Sequence, residues 1–337
     1  MVERVRFQRS DRSDLSAMLR DANGKVAGSA VKVSIDGLLS AFKASNILAV
    51  QRLLFEGVGN KDVYNVTSPF KINGQEYIAG RVESRESETD SQVMFFSKSG
   101  EGEKTITYTV AKNAPVFDMQ DPFFSIINGE FVFGGVELFA KSGAIGYKTA
   151  FYKGDDLSKL RKFAEGPEGM KDIRLVQLQN GKIGIFTRPQ GEVGGRGRIG
   201  FMAIDSLSDL PKLTTQQYLS APLLDLQVPS REWMGANVIH VLEDGKLMVL
   251  AHIARLSNRL AKNYYPLTFK FDSDTGKVSD MQMTFRREDL PPGPSKSKNL
   301  EHVLFPSGLV RRGDRTADIY LGAGDDESYR VTFKGLF

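Results

Sequence analysis

The chain has 337 residues, 41% of them apolar, which is enough to bury a large core in one domain. It has no cysteine, which excludes disulfides and thiolate metal sites, and its three histidines (His240, His252 and His302) lack the spacing of a metalloprotease, so we expect no bound transition metal. The net charge of +4 comes from 45 basic and 41 acidic residues that are well mixed, without the basic stripe that binding of nucleic acid would require.

The start of the chain gives no targeting signal. Residues 1–6 are charged where a secretory signal would be apolar, and no apolar run approaches the ~18 residues of a membrane span. We therefore expect a cytoplasmic protein with no membrane partner. Residues 14–21 predict one or two helical turns, and residues 30–35 alternate like a strand. Short basic clusters such as Lys296 with Lys298 are expected to be solvated surface.

Five segments each read as an apolar run, a tight polar turn and a second apolar run. Four of the turns carry Asn-Gly or Asp-Gly, which tolerate the positive φ angles of a two-residue hairpin turn. The segments are 69–81 turning at Asn73-Gly74, 121–138 at Asn128-Gly129, 171–188 at Asn180-Gly181, 235–253 at Asp244-Gly245 and 301–323 near Gly313-Asp314. The pattern predicts five β-hairpins.

Further strands are predicted at 93–96, 104–110, 150–152, 199–204 and 265–271. The hairpin turns recur every ~50–70 residues, a spacing typical of propeller blades. We predict an all-β, five-bladed β-propeller in a single domain, with the blades in residues 46–337. Residues 1–45 form a short N-terminal extension whose strand closes the ring. An immunoglobulin-like sandwich or a jelly roll would account for the strands but not for their regular long spacing.

The second hairpin opens with an acidic residue in an aromatic sequence context. Asp121 follows Gln120, and Phe117, Phe123 and Phe124 are close in sequence. A carboxyl group among aromatic side chains is desolvated, which favours its protonated form and suits a proton donor to a leaving group. The alternative is a turn aspartate that accepts hydrogen bonds from local amides.

The third segment begins with Lys171-Asp172 and ends at Arg188, which a glycine-rich stretch containing Arg196 and Arg198 follows. Fixed cations beside glycines suit phosphate or another anion. Surface ion pairs are the alternative. Residues 195–200 also fit the G-x-G-x-x-G dinucleotide pattern, but they lead into a strand rather than a helix, which argues against that site.

Polar and aromatic residues flank the other hairpins. Amides, carboxylates and guanidinium groups suit sugar hydroxyls, which need paired donors and acceptors. The candidates are Asn65, Arg81, Glu83, Glu137, Asn237 and His252, with Trp233, Tyr264 and Tyr265 as aromatic faces for a sugar ring. The alternative for the aromatic residues, and for His252 between Ala251 and Ile253, is a place in the core.

Short motifs spread over residues 46–337 carry a family resemblance. They are 64–70 (YNVTSPF), 79–85 (AGRVESR), 120–123 (QDPF), 133–137 (FGGVE), 170–174 (MKDIR), 186–191 (FTRPQG), 194–197 (GGRG), 232–237 (EWMGAN), 252–254 (HIA), 264–266 (YYP) and 320–325 (YLGAGD). In this order they resemble the five-bladed propellers of glycoside hydrolase family 130 and, more closely, glycosyltransferase family 108. The latter are mannosyltransferase/phosphorylases that act on β-1,2-linked mannose.

The resemblance implies roles for individual residues. Asp121 takes the place of the general acid, and Lys171, Arg188 and His252 match positions that hold phosphate. Asp325 matches a carboxylate that contacts the sugar, and the predicted substrate-binding set is Asn65, Arg81, Glu83, Gln120, Glu137, Asp172, Asn237, Tyr264 and Asp325. The chain departs from family 130 at Phe123, where an arginine is expected, so Arg196 or Arg198 is predicted to substitute in binding phosphate.

The implied reaction is inverting phosphorolysis of β-1,2-mannooligosaccharides. Asp121 protonates the glycosidic oxygen, directly or through a sugar hydroxyl, while phosphate attacks the anomeric carbon and α-mannose 1-phosphate is released. Hydrolysis would need a base as well, whereas phosphate arrives as an anion. The co-substrate is inorganic phosphate, or mannose 1-phosphate in reverse, with no cofactor. The alternatives are a GDP-mannose-dependent transferase, a hydrolase with Glu83 or Glu137 as base, and a glycan-binding module.

Overall fold

A computed structural model describes residues 30–44, 46–87, 89–257 and 260–335. This part of the chain is mostly β, as predicted, with three short α-helices. The helical turns predicted at 14–21 lie outside the described residues. None of the helices in the described ranges has the length and apolar character needed to cross a membrane.

The elements alternate in short steps along the chain. The first strands are β1 (Val31–Lys32), β2 (Ile47–Glu56), β3 (Asp62–Tyr64), β4 (Phe70–Ile72), β5 (Gln75–Glu83), β6 (Gln92–Glu101), β7 (Thr105–Val110), β8 (Met119–Ile127), β9 (Glu130–Lys141), β10 (Ala144–Lys153) and β11 (Arg161–Glu165). The later strands are β12 (Arg174–Gln177), β13 (Ile183–Thr187), β14 (Gly200–Ile204), β15 (Leu226–Gln227), β16 (Glu232–Val241), β17 (Leu247–Leu256), β18 (Lys262–Phe271), β19 (Val278–Met283), β20 (Leu304–Arg311), β21 (Thr316–Ala323) and β22 (Glu327–Lys334). The helices are α1 (Ile35–Ala41), α2 (Gly191–Gly194) and α3 (Thr215–Leu219), with 3-10 turns at Leu157–Lys159, Leu207–Lys212, Arg287–Asp289 and Lys298–Leu300.

All five predicted hairpins are present as antiparallel pairs: β4 with β5, β8 with β9, β12 with β13, β16 with β17 and β20 with β21. The first two turns have positive φ at both central residues, 52° and 77° at Asn73-Gly74 and 51° and 80° at Asn128-Gly129. These are the angles of a type I′ turn, which Asn-Gly favours. The five further predicted strands fall within β6, β7, β10, β14 and β18.

The hairpins extend into larger sheets. β8 to β11 form one four-stranded sheet, β12 to β14 a three-stranded sheet, and β16 to β19 another four-stranded sheet. A nine-stranded sheet has the order β20-β21-β22-β2-β7-β6-β5-β3, with β4 paired to β5. Within it, β2 pairs antiparallel to β22 and parallel to β7. The strand that pairs with the end of the chain is therefore β2, whereas β1 pairs with β15, and the prediction of a closing strand in residues 1–45 is corrected.

Buried apolar side chains fill the space between sheets that follow one another along the chain. In the described residues the clusters include the pairs Phe95 with Phe131, Ile127 with Ile185, Phe186 with Val249, Leu250 with Leu321, and Ile78 with Tyr320. The last pair packs the final hairpin against the first one. Residues that are distant in sequence thus meet between the hairpin ends.

Candidate active site

Irregular backbone presents several polar residues at the strand ends. The pairing of β8 with β9 shifts between Gln120 and Phe123, and the pairing of β16 with β17 shifts at Asn237, so that Asp121 and Asn237 lie in bulges. Bulges re-aim side chains and are common next to active sites. Four polar residues adopt left-handed backbone, which Asn and Asp tolerate best: φ is 51° at Asn65, 49° at Asp121, 60° at Asp172 and 52° at Asp325.

A cavity of about 160 Å³ lies among these residues. Its lining contains carboxylates, cations and amides beside two aromatic rings. The lining residues are Asn65, Arg81, Gln120, Asp121, Lys171, Lys262, Tyr264, Val303, Phe305 and Asp325. The structure therefore brings the predicted acid, one predicted phosphate-binding lysine and five predicted substrate-binding residues to one place.

Asp121 is buried, and two side chains distant in sequence hold its carboxylate. Nδ2 of Asn65 donates to Oδ1 over 2.7 Å, and Nη1 of Arg81 lies 3.3 Å from the same oxygen. The predicted aromatic surroundings are corrected, because Phe123 packs in one core cluster and Phe124 against another. The reason is that the bulge separates the side-chain direction of Asp121 from that of Phe123. Asp121 thus faces a polar cavity.

Glu83 lies behind Arg81 and is fully buried. Its carboxylate accepts hydrogen bonds from Arg81, Ser91, Tyr64 and Lys296, the Arg81 contact being 2.8 Å. Although burial opposes ionisation, Arg81 and the hydrogen bonds keep the pKa of Glu83 below its ordinary value. Four donors occupy the acceptor positions of a carboxylate. Glu83 is therefore unsuited to activating a water molecule.

A second group of buried charges adjoins the cavity through Lys171. Asp172 Oδ2 lies 3.3 Å from Nη1 of Arg188, and Asp172 Oδ1 lies 3.9 Å from Nη2 of Arg174. Burial alone would raise the pKa of Asp172, but the neighbouring positive charges, Arg188 foremost, lower it to about 2. The Arg188 guanidinium also donates through Nε to the Met234 carbonyl over 2.9 Å.

His252 completes this group. Its Nδ1 lies 2.9 Å from Oδ1 of Asn237, and its ring stacks on Tyr264, which lines the cavity, at 5.4 Å between centroids. Burial lowers the pKa of His252 to about 3, with Arg188 acting in the same direction and Asp172 against it. The imidazole is therefore neutral near pH 7. The alternative of a core histidine holds for its burial, but its neighbours are the polar residues of the site.

The neutral His252 predicts a pH-dependent stability. In the unfolded chain a histidine titrates near pH ~6.5, so below that pH the unfolded state binds a proton that the folded state does not. Stability is then full above pH ~6.5 and falls by up to ~1.4 kcal/mol per pH unit as the pH decreases towards the folded pKa. We expect His252→Gln to reduce this slope in denaturant titrations between pH 6.5 and 4.5. His302→Gln, at an exposed residue, is the control; equal slopes in all three proteins would contradict the prediction.

Three predicted residues lie elsewhere. The Glu137 carboxylate accepts from Tyr152 and from Lys162, the latter over 2.7 Å, on a face of β9 away from the cavity lining. Arg198 donates to the Leu226 carbonyl. Arg196 is exposed, with its guanidinium 6.0 Å from the Trp233 ring centroid. The predictions that these residues contact sugar or phosphate are corrected, because the strand register and loop path set where their side chains point.

Arg174 was missed as a site residue. Its guanidinium lies 4.1 Å above the Phe123 ring, and its Nε donates to the Asn237 carbonyl over 3.0 Å. Burial lowers its pKa, while Asp172 and Asp121 act in the opposite direction. The available signal was its position three residues after Lys171 in a quoted motif. Lys262, which lines the cavity, gave no comparable signal.

Comparisons with known proteins place the chain among carbohydrate-active enzymes. Residues 40–337 match the model of a family described as "Protein of unknown function (DUF1861)". The chain is similar to MPT-4, a mannose phosphorylase from Leishmania mexicana solved in complex with phosphate ion, with 31% identity, coverage of 90% of this chain and 93% of that chain, and a TM-score of 0.80. It is also similar to MPT-1, a GDP-Man-dependent mannosyltransferase from Leishmania mexicana, with 33% identity, coverage of 90% and 95%, and a TM-score of 0.77.

A more distant likeness concerns the fold alone. β-1,2-Mannobiose phosphorylase from Listeria innocua shares 13% identity over 86% of this chain and 91% of that chain, with a TM-score of 0.55. The fold is thus of the propeller-like type found in glycosidases. No protein among the curated sequences matches the chain.

Proposed function

We propose a function on the premise that the chain belongs to the DUF1861 family and to the same family as the two Leishmania enzymes. The proposed activity is inverting phosphorolysis of β-1,2-linked mannooligosaccharides, which releases α-mannose 1-phosphate, and the reverse reaction. The phosphate ion of MPT-4 and the name of that enzyme support a phosphorylase.

The observation that carries this proposal is an acid and an anion site in one place. Asp121 and Lys171 line the same cavity, and Arg174 and Arg188 adjoin it around the single carboxylate of Asp172. With His252 neutral, this group has two more positive than negative charges, which matches a phosphate dianion. Asp121 lies outside the group, next to Asn65 and Arg81, as an acid acting on the opposite side of a sugar would.

In the proposed mechanism Asp121 gives its proton to the glycosidic oxygen, directly or through a sugar hydroxyl. A phosphate oxygen forms the new bond to the anomeric carbon while the bond to the leaving sugar breaks, which inverts the anomeric configuration. A hydrolase is disfavoured because Glu83 is saturated by donors and Glu137 lies elsewhere. Burial also raises the pKa of Asp325, so this carboxyl is a poor base.

The test is to incubate β-1,2-mannobiose with and without inorganic phosphate and to follow the products by phosphorus and proton NMR. We expect α-mannose 1-phosphate only when phosphate is present, and elongation of mannobiose when mannose 1-phosphate is supplied. Release of mannose without phosphate would instead indicate a hydrolase. Binding of mannooligosaccharides without any product from any donor would indicate a glycan-binding module.

The second candidate is a GDP-mannose-dependent β-1,2-mannosyltransferase, which the 33% identity with MPT-1 favours. The cavity of about 160 Å³ is smaller than the ~300–1,000 Å³ of typical small-molecule sites, so a nucleotide would extend beyond it. Incubating the enzyme and an acceptor with GDP-mannose or mannose 1-phosphate separates the two candidates. Elongation from GDP-mannose alone would favour the transferase.

The same proposal includes five propeller blades in residues 46–337 after an extension over 1–45. The support is the parallel pairing of β2 with β7, whereas the other neighbours in the nine-stranded sheet are antiparallel. Dividing the sheet at that pairing gives one blade of β3 to β7 and one of β20 to β22 with β2. The apolar contact of Ile78 with Tyr320 then closes the ring.

A further inference from the structure

We propose that Lys296 is a positioning residue that acts on Asp121 through Glu83 and Arg81. The inference rests on the proposed function, in which Asp121 is the proton donor. It concerns a residue on the segment between β19 and β20, far from Asp121 in sequence, that does not line the cavity.

Lys296 is buried although its sequence context predicted solvated surface. Its ammonium group donates to the carboxylate of Glu83 and to the carbonyl of Ser87, and its side chain is only 6% exposed. The backbone amide of Lys296 donates to the Gly324 carbonyl over 2.9 Å, which fixes the segment next to Asp325. The prediction holds for Lys298, which is exposed.

Glu83 connects Lys296 to Arg81. One carboxylate oxygen of Glu83 accepts from Arg81 and Ser91, and the other accepts from Tyr64 and Lys296. Two positive charges therefore share one buried carboxylate. Because Lys296 neutralises part of this charge, Arg81 is not held by Glu83 alone.

Arg81 is divided between two carboxylates. Its Nη2 lies 2.8 Å from Glu83, and its Nη1 lies 3.3 Å from Asp121. Loss of the Lys296 charge would strengthen the pull of Glu83 on Arg81 and make the surroundings of Asp121 more negative. Both effects favour the protonated form of Asp121. Lys296 thereby sets the pH range over which Asp121 changes from proton donor to carboxylate.

The test is the pH profile of kcat/KM for phosphorolysis in the wild type and three variants. We expect Lys296→Met to move the basic limb to higher pH by roughly half a unit or more, because one charge is removed within a partly buried network. Lys296→Arg, which keeps the charge, should restore most of the profile. Lys298→Met is the matched control and should resemble the wild type.

A merely structural role for Lys296 would lower stability without moving the limb. Overlapping profiles for Lys296→Met and the wild type, or equal displacements in Lys296→Met and Lys296→Arg, would overturn the inference. If the methionine variant does not fold, Lys296→Gln supplies the same comparison. Carbon-13 NMR titration of the Asp121 carboxyl, assigned with Asp121→Asn, gives the readout without turnover. An active Asp121→Asn variant would instead refute the proposed function.

Discussion

Asparagine in place of Asp121 is expected to slow phosphorolysis of β-1,2-mannobiose by roughly 10²- to 10⁴-fold, the range of a lost general acid. The amide has the shape of the carboxyl group, and its oxygen can still accept from Asn65 and Arg81. It cannot deliver a proton to the glycosidic oxygen. Because Arg81 keeps its ion pair with Glu83, we expect the variant to fold.

The measurement is kcat/KM with mannobiose, compared with that for an aryl mannoside whose leaving group needs no protonation. The loss should be much smaller with the aryl mannoside, since its leaving group departs as a stable anion. Asp118→Asn is the matched control, because Asp118 is exposed three residues away. Near wild-type turnover of mannobiose by Asp121→Asn would remove the acid from the mechanism.

The hairpins were predictable because their determinants are local. Asn73-Gly74 and Asn128-Gly129 adopt the positive φ angles that these residue types tolerate, and the alternating runs beside them pair as expected. The pairing of β2 with both β7 and β22 was not predictable in the same way. It depends on which strand edges meet after the sheets pack, and no local residue type encodes that choice.

The candidate site divides along the same line. The positions of Asp121 and Lys171 at hairpin ends placed both in one cavity. Glu137 also stands near a hairpin end, but its register on β9 turns its carboxylate to Tyr152 and Lys162. The burial of Lys296 depends on a contact with Glu83 across more than two hundred residues. Side-chain direction and such long-range pairing follow from tertiary packing, which composition and spacing do not specify.

Loss of the Arg174 guanidinium is the second large effect that we expect. Arg174→Met should raise KM for phosphate by roughly tenfold or more, with a smaller change in KM for mannobiose, because one of three cations around Asp172 disappears. It should also lower the free energy of unfolding by about 3 kcal/mol, near the lower end for a broken buried ion pair, since Asp172 keeps Arg188. Initial rates at varied phosphate and thermal unfolding measure the two effects.

Two further variants separate the charge of Arg174 from its geometry. Arg174→Lys keeps the charge but not the fork that donates to the carbonyls of Asn237 and Ile173, so it should recover phosphate affinity only in part. Phe123→Leu removes the ring beneath the guanidinium and leaves its donors, and should cost about 1–2 kcal/mol in stability with little change in KM for phosphate. If Arg174→Met binds phosphate as the wild type does, the positive charge that balances the phosphate must come from Lys171 and Arg188 alone.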